Sequence, residues 1–421
     1  MKADLIIDNI GQLVICSSAG KPKRGVEMRD VGIVSNAAIA ISSGKFVAVG
    51  PSDEVSSAYS ADATIDARGR VVSPGFVDPH THIVFAGDRL DEFELRIKGA
   101  DYLEILAAGG GILSTVQKTR AASEDELVEF AKGRLDKMLA CGTTTTEIKT
   151  GYGLDPETEL KMLRVIERLN REHPIDIVPT FLPAHAVPPE FRDDANRYVD
   201  LICNEMLPAA WDWYKESHFF GRVPFFVDVF TEKNAFNLEQ TERILDVAGT
   251  IGFLLKAHVD EFTNLGGSRL AIEKGATSID HLDTISDSEI AMLAASETIA
   301  VVTPTVNFNF GSAHFADARR LIDSGCAVAL STDYNPGSAP CPSQPTAMAI
   351  AARYQKLLPA EVFNAATINA AFAVGLFDQI GSVEVGKKAD LLLFDTTDYR
   401  SIAYEFGPVP IDAVVVGGII I

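Results

Sequence analysis

The chain has 421 residues, 47% of them apolar and 23% charged, with a formal net charge of −21. That length suits a large barrel with a satellite domain, and the composition excludes a disordered chain. The acidic balance excludes electrostatic partners such as nucleic acid or an anionic membrane surface.

In chain order, the N-terminal "MKADLIIDNIG" carries acidic residues within its apolar stretch and does not read as a signal peptide. The first 70 or so residues read as all-β: "DLIIDNI", "NAAIAISSGKFVAVG" and "ATIDARGRVVSPG" are β-branched runs broken by turn residues. "SSGK" reads as a hairpin turn. Eight strand-like runs then alternate with helical stretches: "GFVDPHTH", "TTTTEIKTGYG", "IDIVPTFLPAH", "FFVDVFTEKNAF", "FLLKAHVDE", "TSIDHLD", "IAVVTPTVN" and "AVALSTDYNP". Between them, segments such as "SEDELVEFAKGRLDKMLACG" and "NLEQTERILDVAGTIG" repeat apolar residues at three- and four-residue steps. The alternation predicts an α/β protein, a (β/α)₈ TIM barrel with parallel strands, over residues 73–377. The C-terminal "GSVEVGKKADLLLFD" and "IDAVVVGGIII" return to β character. A small β-sandwich domain is therefore expected from residues 1–72 and 378–421 together. No run of about 18 apolar residues offers a membrane span. The five cysteines, Cys16, Cys141, Cys203, Cys326 and Cys341, are odd in number and lack a C-x-x-C pair. A reduced, cytoplasmic setting is expected.

Barrel enzymes carry their chemistry at the C-terminal ends of the strands. The first run ends in His80 and His82, which alternation along a strand would point to one side. The second offers Glu147 and Lys149, followed by Tyr152. The third ends at His185. The fifth offers His258, with Glu261 three residues on. The sixth ends at His281, and the eighth offers Asp333, Asn335, Gly337 and Ser338. A lone His-x-His is more often a polar strand end than a metal site. His80, His82, His258, His281 and Asp333 at one end of one barrel are hard to explain as solvated loop residues. Imidazole and carboxylate together suit zinc, and also iron and other first-row metals. "GGG" at 109–111 lacks the flanking Lys and Ser/Thr of a phosphate-binding loop and is expected to be a flexible turn near the site. Lys149 and Lys233 are expected to be structural or solvated, and Tyr102 and His314 to be core or surface residues.

"PGFVDPHTH", a later strand-end histidine, another histidine and a final aspartate resemble the pattern of the amidohydrolase superfamily. "HTHIVFAGDRLDEFELR", "AAGGGILSTVQKTRAAS", "GTTTTEIKTGYGL", "LPAHAVPPE", "HVDEFTNLGG" and "STDYNPGSAP" narrow the resemblance to the imidazolonepropionase family. It extends over nearly the whole chain. It implies hydrolysis of the cyclic amide of 4-imidazolone-5-propanoate to N-formimidoyl-L-glutamate, a step of histidine degradation. It implies His80, His82, His258 and Asp333 as ligands of one divalent or trivalent metal per chain, zinc or iron. Arg89, Tyr152, His185, Glu261 and Ser338 match substrate contacts, Asn335 and Gly337 match positions that hold the opened product, and His281 matches a histidine beside the reacting water. Glu261, His281 and Asp333 are the expected catalytic groups. The expected partners are a small-molecule substrate and a second copy of the chain in a homodimer, with no nucleic acid and no membrane.

Two segments at the catalytic end, "VTPTVNFNFG" and "FTEKNAF", depart from the family's usual sequence. Asn307, Asn309 and Lys233 therefore mark where the pocket would differ. The competing reading is another amidohydrolase, a deaminase or dipeptidase acting on a carboxylate-bearing substrate. A catalytically dead binding protein is a second competitor, opposed by the intact ligand pattern and Glu261.

Overall fold

The computed structural model describes residues 1–99 and 110–421; Tyr102 and Gly109 lie outside the described residues. β1 (Lys2–Val14), β2 (Ile33–Ser42), β3 (Lys45–Pro51), β4 (Ser60–Asp66) and β5 (Val71–Pro74) open the chain. β6 (Phe76–Asp78), β7 (Thr143–Lys149), β8 (Asp176–Ala184), β9 (Phe226–Thr231), β10 (Leu254–Val259), β11 (Ser278–His281), β12 (Ile299–Val302) and β13 (Val328–Leu330) follow. β14 (Leu391–Phe394), β15 (Ile411–Val416) and β16 (Ile419–Ile420) close it.

Strands from both ends of the chain share one sheet, ordered β16-β15-β14-β5-β1-β2-β3, with β4 also on β1. The two ends meet where β14 runs antiparallel to β5, Leu392 opposite Ser73. β1 pairs with β4 through its first half and with β5 through its second, so the sheet bends around it. The bent sheet folds over on itself. Ile7, Ile39 and Phe46 meet Val72, Leu391, Leu393 and Val415 in one apolar core, and the Phe46 N–H donates to Lys387 O at 3.0 Å. At the β2–β3 turn, Ser43 and Gly44 both have positive φ, 51° and 74°. Such a turn matches the twist of its flanking strands.

β6 to β13 form the second sheet, parallel throughout and hydrogen-bonded in sequence order. Each of the eight runs singled out in the sequence contains one of these strands. The outer helices follow from local signals. The helix Glu124–Ala140 begins at a capping box of Ser123 and Glu126, and it buries Leu127, Val128, Ala131, Leu135, Met138 and Leu139 on one face. Gly142 then turns the chain into β7 with φ of 90°. A Cβ there would come within 2.8 Å of Leu392 and Ile411, side chains of the terminal sheet. The barrel and the terminal sheet touch too closely at this point for any residue but glycine. Among the described residues, no helix is long and apolar enough to cross a membrane.

The barrel closes between β13 and β6 largely through side chains. Gln344 Nε2, at the start of the helix Gln344–Tyr354, donates to Val77 O at 3.0 Å and to Leu330 O at 3.1 Å, one carbonyl from each strand. Asp78 accepts from Ser331 Oγ at 2.6 Å and from Thr332 Oγ1 at 2.5 Å. Beyond the strands the His82 N–H donates to Tyr334 O at 2.9 Å. Gln344 is fully buried, so its replacement by leucine leaves two carbonyls without a donor or water. We expect Gln344→Leu to cost about 1–3 kcal/mol, read as a lower urea midpoint with unchanged far-ultraviolet dichroism. An unshifted midpoint would show that the seam does not depend on this amide.

Candidate active site

At the C-terminal ends of the barrel strands lies a cavity of about 390 Å³. His82, Arg89, Tyr152, His185, His258, Glu261, His281, Asp333, Asn335, Gly337 and Ser338 all line it. His80 lies fully buried beside them. The twelve residues singled out in the sequence are thus brought to one place. Lys233 and His314 are exposed instead.

β6 ends at Asp78, two residues before His80. The chain stays extended because Thr81 Oγ1 donates to Glu147 O at 2.5 Å and Thr81 O accepts from the Lys149 N–H at 2.9 Å. With Thr81 turned to β7, the flanking His80 and His82 face the barrel axis together, their Nε2 atoms 3.2 Å apart. His258 Nε2 lies 3.3 Å from His82 Nε2. Asp333 Oδ1 lies 3.6 Å from both His80 Nε2 and His82 Nε2.

The His80 proton is set from below, and a carboxylate also lies under His258. His80 Nδ1 lies 2.6 Å from Asp280 Oδ2, so its N–H points at the carboxylate and Nε2 presents a lone pair. His258 Nδ1 lies 3.0 Å from Asp228 Oδ2, at ion-pair distance but poorly aligned for a hydrogen bond. Lys149 Nζ ties the two carboxylates together, 2.7 Å from Asp228 Oδ2, 2.9 Å from Glu147 Oε2 and 3.6 Å from Asp280 Oδ2. Lys256 Nζ lies 3.0 Å from Glu147 Oε1. All five charged groups are fully buried. Burial disfavours the Asp228 carboxylate, but His258 and Lys149 outweigh it and hold its pKa well below the usual range. Burial, then the charge of Lys149, pushes His80 well below the usual histidine range, and burial does the same to His82.

Neutral imidazole nitrogens this close meet either through a shared proton or through a cation between them. A tetrahedral ion with bonds of about 2.0–2.1 Å has an edge of roughly 3.3–3.4 Å. The spacings of 3.2 and 3.3 Å among His80, His82 and His258 and of 3.6 Å from Asp333 to His80 and His82 lie near that edge, and His80, His281 and Asp333 form a second possible donor group, so these side chains suit a metal in type and spacing. Lys149, fully engaged by carboxylates, offers nothing to a second ion.

Around this cluster the other groups are differently committed. His281 Nδ1 is 3.1 Å from Thr303 Oγ1, while its buried Nε2 has no partner. Glu261 Oε1 lies 4.0 Å from His281 Nδ1. Burial, then the charges of Asp333, Asp283 and Glu232, pushes Glu261 well above the usual carboxylate range. His185 stacks on His82 with centroids 4.9 Å apart. Its Nδ1–H donates to Gly151 O at 3.1 Å, and burial pushes its pKa down to about 3. The ring is therefore neutral, and Nε2 is left as an acceptor. Burial pushes Asp333 up to about 7, a shift that a bound cation would reverse.

Two expected contacts are otherwise engaged. The planar fork of Arg89 is spent on Glu92, Nε at 2.8 Å and Nη2 at 2.6 Å. Its Nη1 faces Gly337, where a Cβ would come within 2.2 Å and displace it. The Asn335 amide is spent inside its own loop. Nδ2 donates to Asp333 O at 2.8 Å and Ser338 Oγ at 2.7 Å, and Oδ1 accepts from the N–H groups of Gly337 and Ser338 at 2.8 Å.

The divergent segments also resolve. "TVNFN" lies in a short helix, Pro304–Asn309, with Phe310 at its C-terminal cap. Asn307 donates to Asp283 Oδ1 at 2.8 Å, and Asn309 to Ser338 O at 2.8 Å. In "FTEKNAF", Glu232 Oε2 accepts the N–H groups of Phe262 and Thr263 at 3.0 Å, fixing the segment that carries Glu261. Asp228, Asp280, Glu92, Arg96 and Thr303 stand in or beneath the site beyond the residues expected from sequence. A signal for the first two was present: each is an acidic residue inside an apolar strand, where a lone charge is costly.

The amidohydrolase family model matches residues 236–421, and a second amidohydrolase family model matches residues 63–108. Among solved structures, an adenosine deaminase from Xanthomonas campestris with bound zinc superposes at TM-score 0.75 with 19% identity, covering 100% of this chain and 93% of that one. The guanine deaminase of E. coli superposes at TM-score 0.70 with 16% identity, covering 99% and 98%. At such identities the likeness concerns the fold. In sequence, the chain is 52% identical to a protein named imidazolonepropionase from Chloroflexus aggregans over 416 residues, 99% of this chain and 97% of the relative. It is 45% identical to one so named from Alkaliphilus oremlandii over 424 residues, 100% and 98%. Similarity of that degree over the full length, joined to a barrel with this histidine cluster, establishes that the chain belongs to the imidazolonepropionase family of amidohydrolases.

Proposed function

We propose that the chain hydrolyses the ring amide of 4-imidazolone-5-propanoate to N-formimidoyl-L-glutamate with one metal ion, zinc or iron, held by His80, His82, His258 and Asp333. The observation that carries the reading is the convergence of imidazole lone pairs and a carboxylate at the floor of an arginine-walled cavity, in a chain of this family. When bound, the metal supplies Lewis acidity and lowers the pKa of a water toward neutrality.

The remaining chemistry belongs to the chain. Water adds to the ring carbonyl carbon, the ring C–N bond breaks, and the departing nitrogen takes a proton. Asp333 faces the cavity and accepts the proton of the attacking water. Glu261, on the same wall, moves a proton to the departing ring nitrogen. His281 Nε2, its Nδ1 committed to Thr303, is the group left to meet the developing oxyanion. His185 Nε2, held as an acceptor, takes a ring N–H of the substrate and orients it. Tyr152, packed near His82 and His185, closes the apolar side of the pocket. Arg89 faces the propanoate carboxylate with Nη1. The free thiols of all five cysteines support the cytoplasmic setting.

Purified protein added to 4-imidazolone-5-propanoate should bleach the imidazolone absorbance and yield N-formimidoyl-L-glutamate; no turnover by metal-replete protein would refute the activity. Elemental analysis should find about one equivalent of zinc or iron per chain. Chelation should abolish turnover, and re-addition of metal should restore it. Two equivalents per chain would instead indicate a binuclear centre. Glu261→Gln keeps the shape and deletes the proton carrier. Its metal content should match wild type while kcat falls roughly 10²-fold or more, and unimpaired turnover would remove Glu261 from proton transfer.

A further inference from the structure

Arg89 meets the cavity with less than its full guanidinium, because Nε and Nη2 are both bound to Glu92. A carboxylate has two oxygens to satisfy, so a second donor is wanted. Two turns along the same helix, Arg96 also lines the cavity. Its Nη2 donates to Glu92 Oε1 at 2.8 Å, the same oxygen that Arg89 Nη2 meets at 2.6 Å. The two guanidiniums are therefore neighbours, held by one carboxylate. The plane of Arg96 is set by Phe310, whose ring centroid lies 4.8 Å from Cζ. Arg96 Nη1 is buried and has no hydrogen-bond partner among the described residues. An unpaired donor on a charged group out of water is costly, and native structures rarely leave one without an acceptor for it to meet.

Charge counting points the same way. Although burial opposes its ionisation, the Gly111 N–H and Arg89 hold the Glu92 carboxyl below its usual range, so it stays anionic. Two arginines against one glutamate leave one positive charge uncompensated at the cavity wall, the complement of a single carboxylate.

We propose that Arg96 is a second substrate-binding arginine: its Nη1 and that of Arg89 clasp the propanoate carboxylate between them, with Glu92 as the spacer that orients both. The assignment rests on the substrate reading above and deepens it. An Arg96 that merely braced Glu92 would act only through Arg89, so Arg96→Met would cost the acid nothing further in an Arg89→Met background, whereas a direct carboxylate contact would still be lost there.

The test compares wild type, Arg96→Met and Arg96→Lys on 4-imidazolone-5-propanoate and on its neutral propanamide analogue, with metal content measured for each. For the acid, Arg96→Met should raise KM roughly 10-fold or more, the size of one lost charge-assisted hydrogen bond, with kcat changed by less than about threefold. For the amide, kcat/KM should change little. Arg96→Lys should recover part of the acid's KM through its retained charge. An unchanged KM for the acid, or equal losses on acid and amide, would overturn the proposal. Wild type that fails to turn over the acid defeats the substrate reading instead. Calorimetric titration with glutarate then decides on Arg96 alone: binding to wild type that is lost in Arg96→Met upholds the clasp, and equal or absent binding in both rejects it.

Discussion

The ammonium group of Lys149 sits at the centre of the barrel with carboxylates of Asp228, Glu147 and Asp280 around it. Each ion alone would cost several kcal/mol to bury, and removing one partner from such a group leaves the others uncompensated. The group is nevertheless retained where hydrophobic packing would suffice for stability. Its position gives the reason. Asp280 and Asp228 each present a second face to a histidine, His80 and His258. The lysine fixes the carboxylates, Asp280 orients the proton of His80, Asp228 sits at ion-pair distance from His258, and the imidazoles converge on one point. The basicity and orientation of the imidazoles are thereby tuned a full layer beneath the cavity.

Above that layer the backbone is bent into uncommon conformations. Asp260, His281, Leu282 and Asp333 all have positive φ, 56°, 82°, 71° and 48°. Non-glycine residues rarely adopt such angles, and each costs energy that surrounding contacts must hold in place. Here they fall where strands β10, β11 and β13 give way to loops, and they turn His281, Glu261 and Asp333 toward the same cavity. The contacts that hold them are visible: Thr284 donates to Asp260 O, Thr303 meets His281, and Asn335 donates to Asp333. The rigid sheet sets the position of each cavity side chain to within a strand register, and the strained exits set its direction.

The ring of chemistry was legible as a list before it was a place. Histidines and an aspartate at strand ends share a side because alternation and parallel strands allow little else. The roles of individual donors were less legible. Arg89 matches a substrate contact by resemblance, yet the glutamate three residues on takes two of its donors and leaves Nη1, since residues i and i+3 meet on a helix. Asn335 reads as a ligand contact, yet its amide is consumed by the turn it builds, as short amide side chains tend to be. In both cases the competitor for the hydrogen bond was local. It appears in the sequence, but only the backbone conformation shows that it wins.

Taken alone, the sequence determined the fold class, the end of the barrel that carries the chemistry, and the residues that form the cluster. Periodicity and strand-end composition are local quantities, and they survive without coordinates. The spacing of the imidazole nitrogens, the pairing of Lys149 with Asp228 and Asp280, and the closure of the barrel by Gln344 were decided by the tertiary structure. These contacts join residues 79, 131 and 267 positions apart. Which buried charge finds which partner depends on the stagger of the strands and the radius of the closed sheet, and no local pattern along the chain encodes either.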